Sequence, residues 1–566
     1  MSAPAFSTGL PAFSPPGPGT WELETAHFPR PLPKFGLQAF MKGFCKGLAE
    51  GAANYGLLIE GFQVALVNGF WYQQLVPFGA IHAPSNPPPR LALWLITRVH
   101  PAFRKRIRMS HRAFSEKAWR KDLATWDEVD RPRAIASHRL LLSVDERSLE
   151  DAALVRHLRA CEAHMEDMSY LHQKYTVPSL APIGDLLAHV FSWTGREPFK
   201  VLDLTRGASP VSLGFATREL ELLGSAIRND PTARALLEVH DEWEALEALL
   251  ALEGPVGEAT RTFVELVRYR ALGYDVGERL VGELPQMLVR SVRAAVDGRV
   301  LSAPNEDERW ACEIREAIPM AKRTEFDELL AETRLTSRLR DERGMYAECW
   351  ALGIARRALL EAGKRLVLRG RLHDREHAVD LTMPELEALL SGKPGPSADD
   401  VRGRATFRIT HTVADCPPHL GPPPAALVDP ELLPLAARRS ARALGAVVVG
   451  MFGETNAIST PEVIRGLSAS RGVYEGTARN VDGPSEFDRV QRHDVLVTRA
   501  TAPYFNAILP LLGAIVTDRG GQLSHAAIVA REYGIPAVVG TKQATVFIPD
   551  GARVRVDGTR GEVTIL

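Results

Sequence analysis

Little in the 566 residues points to covalent or metal cross-linking. The five cysteines, Cys45, Cys161, Cys312, Cys349 and Cys416, lie far apart and form no CxxC pair. That argues against a disulfide scaffold or a zinc ribbon and suits a reducing cytoplasm. Charge of one sign is equally scarce: the formal net charge is −1, which gives no global field toward nucleic acid or an anionic membrane. Neither class of partner is expected. The N-terminus, MSAPAFSTGLPAFSPPGPGTW, has neither a basic n-region nor an apolar h-region and does not read as a signal peptide. A long uninterrupted apolar run is also missing. The most apolar early stretch, YGLLIEGFQVALVNGFWYQQLVPFGA, is broken by Glu60 and polar residues and reads as one or two buried helices.

What is present is an ordinary soluble composition, 45% hydrophobic and 24% charged, on a chain too long for one core. Four segments are expected. Residues 1–36 are rich in proline and extended. Residues 37–390 carry apolar residues at i, i+3, i+4 and i+7, as in HLRACEAHMEDMSYLHQKY, and read as one large, mostly α-helical domain. Thr382 followed by Glu385 has the spacing of a capping box. Residues 391–460, with SGKPGPSADD and CPPHLGPPPAALVDP, read as a linker holding one helix, LLPLAARRSARALGAVVVGMF. Residues 461–566 alternate short strands with Gly, Asp and Pro turns around one helix near 524–533, a compact α/β domain. The fold class is therefore multidomain, α followed by α/β.

The chemistry concentrates in TDRGGQLSHAAIVAREYGIPAVVG, Thr517 to Gly540. A strand, GAIVTD, runs into a glycine turn, and Ser524 is placed to cap a helix whose first residue is His525. Unpaired N–H groups and the helix dipole favour negative charge there, as at other phosphate-binding helix starts. Neutral imidazole is a good nucleophile near pH 7. His525 thus fits a residue that receives a phosphoryl group and passes it on. Thr517, Arg519, Gly520, Gly521 and Ser524 are the phosphate-binding candidates. Taken alone, a histidine in this position equally fits a surface residue or a cap.

A resemblance extends through the whole C-terminal segment. IRGLSASRGVYEGTARNV (464–481), DVLVTRATAPYFNAILPLLGAIVTDRGGQLSHAAIVAREYGIPAVVG and VRVDGTRGEVTIL resemble the swivelling phosphohistidine domain of the phosphoenolpyruvate-utilising enzymes. His525 matches that family's phosphorylated histidine. Leu523 departs from it, standing where several dikinases carry threonine. RLRDERGMYAECWALGIARRALLEAGKRLVLRGRL and VDLTMPELEALL resemble the helical segment before the swivel domain in rifampin phosphotransferase and the phenylphosphate synthase large subunit.

The first 390 residues show no glycine-rich phosphate loop of the ATP-grasp kind. The resemblance then implies a divided phosphotransferase. A separate ATP-grasp subunit would bind Mg-ATP and place the β-phosphoryl group on His525, and a hydroxyl bound by the helical domain, a phenol above all, would accept it. An antibiotic acceptor and a non-catalytic phosphocarrier are the alternatives. Acceptor-site candidates are Arg338, Arg340 and Arg343 for the moving charge and Asp341 or Glu342 for the proton. His189, Phe62 and Trp71 are candidates for the walls. The same charges also fit a solvated helix face, and the aromatics a core. His157, His164 and His172 fall near one helical face beside Asp167, but the spacing is loose for zinc and no metal is expected.

Overall fold

The computed structural model describes residues 11–566 apart from 26, 210–216, 240, 298–306, 424, 426–427, 454–458, 461, 502–504 and 507. The chain forms two compact units that interleave along the sequence. The first comprises Met1–Pro178, Tyr274–Glu278 and Tyr346–Ala441; the second comprises Ser179–Gly273, Arg279–Met345 and Arg442–Leu566. Among the described residues no helix is long and apolar enough to cross a membrane.

In the first unit, helix Leu37–Asn54 lies along helix Asp151–Lys174. The close approach depends on a stripe of glycines four residues apart. A Cβ on Gly43 would lie 2.2 Å from the Glu166 carbonyl oxygen, and one on Gly47 would lie 2.3 Å from that of Tyr170. Beside these helices sits a four-stranded antiparallel sheet in the order Ile59–Val67, Phe70–Pro77, Trp21–Leu23, His419–Leu420. The run expected to be helical is therefore a hairpin. Its turn is Asn68-Gly69, both at positive φ (52° and 83°), with Val67 opposite Phe70. Asn-Gly between alternating apolar residues is a strong hairpin signal, and it overrides the run's overall hydrophobicity.

The second unit joins helices from the middle of the chain to an eight-stranded sheet at its end. The strand order is Val463–Arg465, Glu562–Ile565, Arg553–Asp557, Val473–Asn480, Val495–Thr498, Ala514–Thr517, Ala537–Val539, Leu467–Ser470. Val473–Asn480, Val495–Thr498, Ala514–Thr517 and Ala537–Val539 run parallel, with antiparallel strands on both sides. The strands thus fall where the sequence pattern placed them. Helix His525–Tyr533 covers one face, begun by Ser524 and ended by Gly534 at φ 64°. Its Ala526, Ala527 and Ala530 share a core with Leu223, Ile227 and Val292 of the helical region.

Divisions in series at 36, 390 and 460 consequently differ from the units the chain forms. Periodicity reports which face of an element is buried, not which distant element buries it. The stretch expected to be a linker holds two helices, Ala398–Thr410 and Leu435–Phe452, and residues 391–441 lie in the first unit. The capping box at Thr382 is formed, with the Glu385 N–H donating to Thr382 Oγ1 at 3.4 Å and the Thr382 N–H to Glu385 Oε2 at 2.9 Å.

Candidate active site

Strand Ala514–Thr517 is fully buried, so its C-terminal end is fixed within the sheet. Thr517 Oγ1 then donates to the Arg519 carbonyl at 2.7 Å, and the Arg519 N–H donates to the Arg499 carbonyl at 2.8 Å, which starts the turn. Gly520 has φ 105°, a conformation that side chains rarely adopt. Gly521 is required for a different reason: a Cβ there would lie 2.3 Å from the Gly450 carbonyl oxygen and 2.8 Å from that of Met451. The Leu523 N–H donates to the same Gly450 carbonyl at 2.8 Å. The turn is therefore seated on the last residues of helix Leu435–Phe452, a helix that sequence reasoning assigned only to a linker.

Leu523 explains its own departure from the family pattern. It is 1% exposed and packs among Ile183, Leu186, Phe199 and Phe326, an apolar cluster of the second unit. A polar threonine would gain nothing there. Arg340, from helix Arg323–Arg343, donates through Nη2 to the Leu523 carbonyl. Arg531, on the buried side of helix His525–Tyr533, donates to the carbonyls of Ala469 and Gln522 at 2.7 Å each. Burial lowers the Arg531 pKa to about 10, so the guanidinium stays charged at neutral pH. Two arginines thus grip the backbone on either side of Leu523, two residues from the imidazole.

His525 is half-buried, and its Nδ1 lies 3.0 Å from Thr501 Oγ1. When Nδ1–H donates to that hydroxyl, the ring lone pair is on Nε2. The side chain stands on the first residue of the helix, where the dipole favours an anion. Thr501 is a site residue that sequence reasoning missed; nothing local distinguishes one threonine in TRATAP.

The acceptor-site candidates are dispersed. Only Arg340 is shown touching the histidine turn. Arg338 pairs with Glu342 at 2.9 Å, and Arg343 is buried in the same helix. Asp341 accepts from Ser209 Oγ at 2.8 Å, close to Glu532, which accepts from the Gly207 N–H at 2.7 Å. His189 lies between Asp185 (3.2 Å) and Glu325 (3.9 Å), against Trp193. Phe62 and Trp71 belong to the first unit. Trp71 is 1% exposed and sits among Phe28, Phe40 and Phe44, the last of which also meets Phe62.

The histidines of helix Asp151–Lys174 each face a different partner. His157 lies 3.4 Å from Glu146, His172 bonds Glu348, and His164 Nε2 is 2.8 Å from Nδ1 of His138. Since His138 Nε2 donates to the Tyr346 carbonyl at 2.9 Å, His164 must donate to His138. Burial lowers the His164 pKa to about 4, which keeps its ring neutral near pH 7. No group of these residues converges on a common point, and among the described residues none could hold a metal.

The first unit contains a further feature that sequence reasoning passed over. Phe28, Phe35, Phe40, Met165 and Tyr274 line a water-sized apolar recess together with Asp275. The Asp275 carboxylate accepts from the Gly277 N–H at 2.6 Å. Burial raises both Asp275 and its neighbour Glu278, the latter to about 7, against the opposing pull of Arg408 and Arg356. The signal available was YDVGE, two carboxylates flanking a glycine beside an aromatic ring.

Comparison with known families turns on the strand–turn–helix around His525. A family model described as "PEP-utilising enzyme, mobile domain" matches residues 490–561. Residues 490–561 are a PEP-utilising enzyme mobile domain. Similar proteins include the uncharacterized phosphotransferase YvkC of Bacillus subtilis, 34% identical over 244 residues, or 43% of this chain and 27% of that protein. A probable phosphoenolpyruvate synthase of Pyrococcus abyssi is 50% identical over 111 residues, 19% of this chain and 14% of that protein. A rifampicin phosphotransferase of a Streptomyces species is 34% identical over 214 residues, 38% of this chain and 22% of that protein. The matched part of the chain therefore spans about a quarter or less of these relatives. The stretch shared with YvkC is longer than the mobile domain itself, so the likeness extends into residues outside 490–561.

Proposed function

We propose that the chain is the phosphohistidine component of a phosphotransferase, with His525 Nε2 carrying the group. The observation that carries the reading is the Nδ1 contact to Thr501 at the start of a helix within the mobile domain. In this proposal a separate ATP-grasp subunit binds Mg-ATP. Nε2 attacks the β-phosphorus of ATP and AMP leaves; water then cleaves the β–γ anhydride, so that the γ-phosphate departs and the β-phosphoryl group stays on Nε2. Nδ1–H stays bonded to Thr501, so the ring leaves as neutral imidazole when the N–P bond breaks. Arg340 and Arg531 hold the turn rather than the phosphate, since each is spent on backbone carbonyls.

On the acceptor side, the proposed substrate is a small organic hydroxyl compound, a phenol in the first instance. In this proposal the ring enters at the aromatic recess of the first unit, which is water-sized until its lining side chains part, and Asp275 is the carboxylate in that lining. Asp275 would take the hydroxyl proton as the O–P bond forms.

The test combines the purified chain, a candidate ATP-grasp partner, Mg-ATP labelled at the β-position and a panel of phenols. Acid-labile label on wild type, none on His525→Ala, and label passing to a phenol is the expected result. Asp275→Asn is expected to accept label but release it to the phenol at least tenfold more slowly. Label retained on His525 with no transfer to any hydroxyl compound would instead make the chain a phosphocarrier. Equal labelling of His525→Ala would refute the whole reading.

A further inference from the structure

The near-zero net charge conceals a sharply basic segment. From Gly61 to Ser115 the sequence has no Asp or Glu, yet it carries Arg90, Arg98, Arg104, Lys105, Arg106, Arg108 and Arg112. These fall on two successive helices of the first unit, Arg90–Val99 and Pro101–Ser115. Arg106 faces Glu60 at 3.5 Å and Arg112 faces Glu116 at 2.9 Å. Arg90, Arg104, Lys105 and Arg108 are exposed and have no ion pair among the described residues.

Helix Arg90–Val99 is apolar on the side turned to water. Leu93 and Thr97 are buried beneath it, Leu93 against Ile107, Leu433 and Ala437. On the other side Leu91 is 77% exposed, Trp94 49%, Leu95 52% and Val99 61%. The spacing i, i+3, i+4, i+8 makes one apolar stripe, crossed at i+7 by Arg98. Arg98 lies over the Trp94 ring, 4.9 Å from its centroid, and its Nη1 donates to the Trp94 and Leu432 carbonyls at 3.3 and 3.4 Å. Scattered exposed apolar residues are ordinary; five on one short helix (these four and Ile96), beside uncompensated bases, are not.

Three occupants would cover such a stripe, and charge and size separate them. A second copy of the chain meeting it about a two-fold axis would set these bases against themselves. A protein partner of standard size needs about 20–30 residues a side, whereas a ten-residue helix is about 15 Å long. A lipid surface needs no shape complement. It takes a short helix with Trp and Leu on one face and Arg or Lys beside it, the apolar side chains entering the headgroup boundary and the bases meeting anionic lipid.

We infer that helices Arg90–Val99 and Pro101–Ser115 form a docking face for anionic lipid membranes. Leu91, Trp94, Leu95 and Val99 insert, and Arg90, Arg104, Lys105 and Arg108 provide the electrostatic attraction. The contact is peripheral and reversible. It is independent of His525, so it stands or falls separately from phosphoryl transfer.

The test is co-sedimentation of the purified full chain with sucrose-loaded vesicles of 70:30 phosphatidylcholine:phosphatidylserine, and with phosphatidylcholine alone, at 0.1 M and 0.5 M salt. Binding to the anionic vesicles is expected at 0.1 M salt, with a steep fall at 0.5 M as charges are screened. Arg104→Gln/Lys105→Gln is expected to weaken it by about 25-fold, roughly fivefold for each base removed. Trp94→Ser/Leu95→Ser is expected to abolish it. All four side chains are exposed, so folding is checked simply by an unchanged circular dichroism spectrum and thermal midpoint. No sedimentation with anionic vesicles, or equal binding to both lipids, would overturn the inference. So would a concentration-dependent dimer that Trp94→Ser/Leu95→Ser dissolves, or saturable binding to an acidic protein with none to vesicles.

Discussion

Gly521→Ala tests how the histidine turn is held. The Cβ would fall 2.3 Å from the Gly450 carbonyl oxygen and 2.8 Å from that of Met451, both main-chain atoms at the end of a helix. Ordinary contact is about 3.4 Å, so the turn must retreat by about 1 Å. The Gly450 carbonyl also accepts the Leu523 N–H at 2.8 Å, and that hydrogen bond stretches with the retreat. Over-packing of this kind costs about 1–3 kcal/mol, and a weakened hydrogen bond adds about 1 kcal/mol. A combined penalty of about 3 kcal/mol shifts the seated-to-unseated ratio by about 150-fold. Gly521 has no positive φ, so the effect is steric and not one of backbone strain. Native-state amide exchange at Leu523 and Ser524 provides the assay, and about 100-fold faster exchange is expected. Gly403→Ala is the control: nothing lies within 4 Å of a Cβ there, the residue is inside helix Ala398–Thr410, and exchange at Leu523 should not change. Wild-type protection at Leu523 in Gly521→Ala would refute the reasoning that the turn is seated on Gly450.

Two further predictions follow from single contacts. Thr501→Val removes the acceptor for Nδ1–H at 3.0 Å, a bond worth about 1 kcal/mol, so His525 should phosphorylate about fivefold to tenfold more slowly and its nitrogen NMR shifts should move toward the other tautomer. Thr501→Ser should restore both, and an unchanged tautomer in Thr501→Val would count against the assignment of Nε2. Glu532 is raised to about 7, chiefly by burial and then by Asp341. The folded state therefore keeps a proton that the unfolded state releases above its ordinary carboxylate pKa. Stability from this group is complete at pH 4 and is lost as pH rises through 7, by at most about 3 kcal/mol. Glu532→Gln keeps an acceptor for the Gly207 N–H, and urea midpoints at pH 5 and 8 should show a shallower decline than in wild type; an identical decline would refute the link.

The C-terminal strands and helix were legible because short, fully buried strands between glycine turns leave few alternatives. Ser524 before His525 and Gly534 after Tyr533 bracket the helix by local chemistry alone. The hairpin at Asn68-Gly69 is also written in the sequence, but the apolar run around it carries the same hydrophobicity as a buried helix. His189 and the charged run Arg338–Arg343 could not be sorted by pattern, because helical spacing is the same for a solvated face, a core and a site. Only Arg340 was shown on the histidine turn, through a carbonyl that no side-chain motif could reveal.

The sequence by itself determined the local pieces: the strand–turn–helix, the position of the histidine and the cap that precedes it. The cap, the turn and the helix stop rest on interactions between residues a few positions apart, which is why neighbouring residues reveal them. Tertiary structure alone decided which segments share a core, with Tyr274–Glu278 joined to the first unit and helices before residue 345 packed with the mobile domain in the second. It also decided that Gly450 supports the turn and that Thr501 meets the imidazole. Those pairings depend on shape and burial between elements far apart in the chain, for which neighbouring residues hold no code.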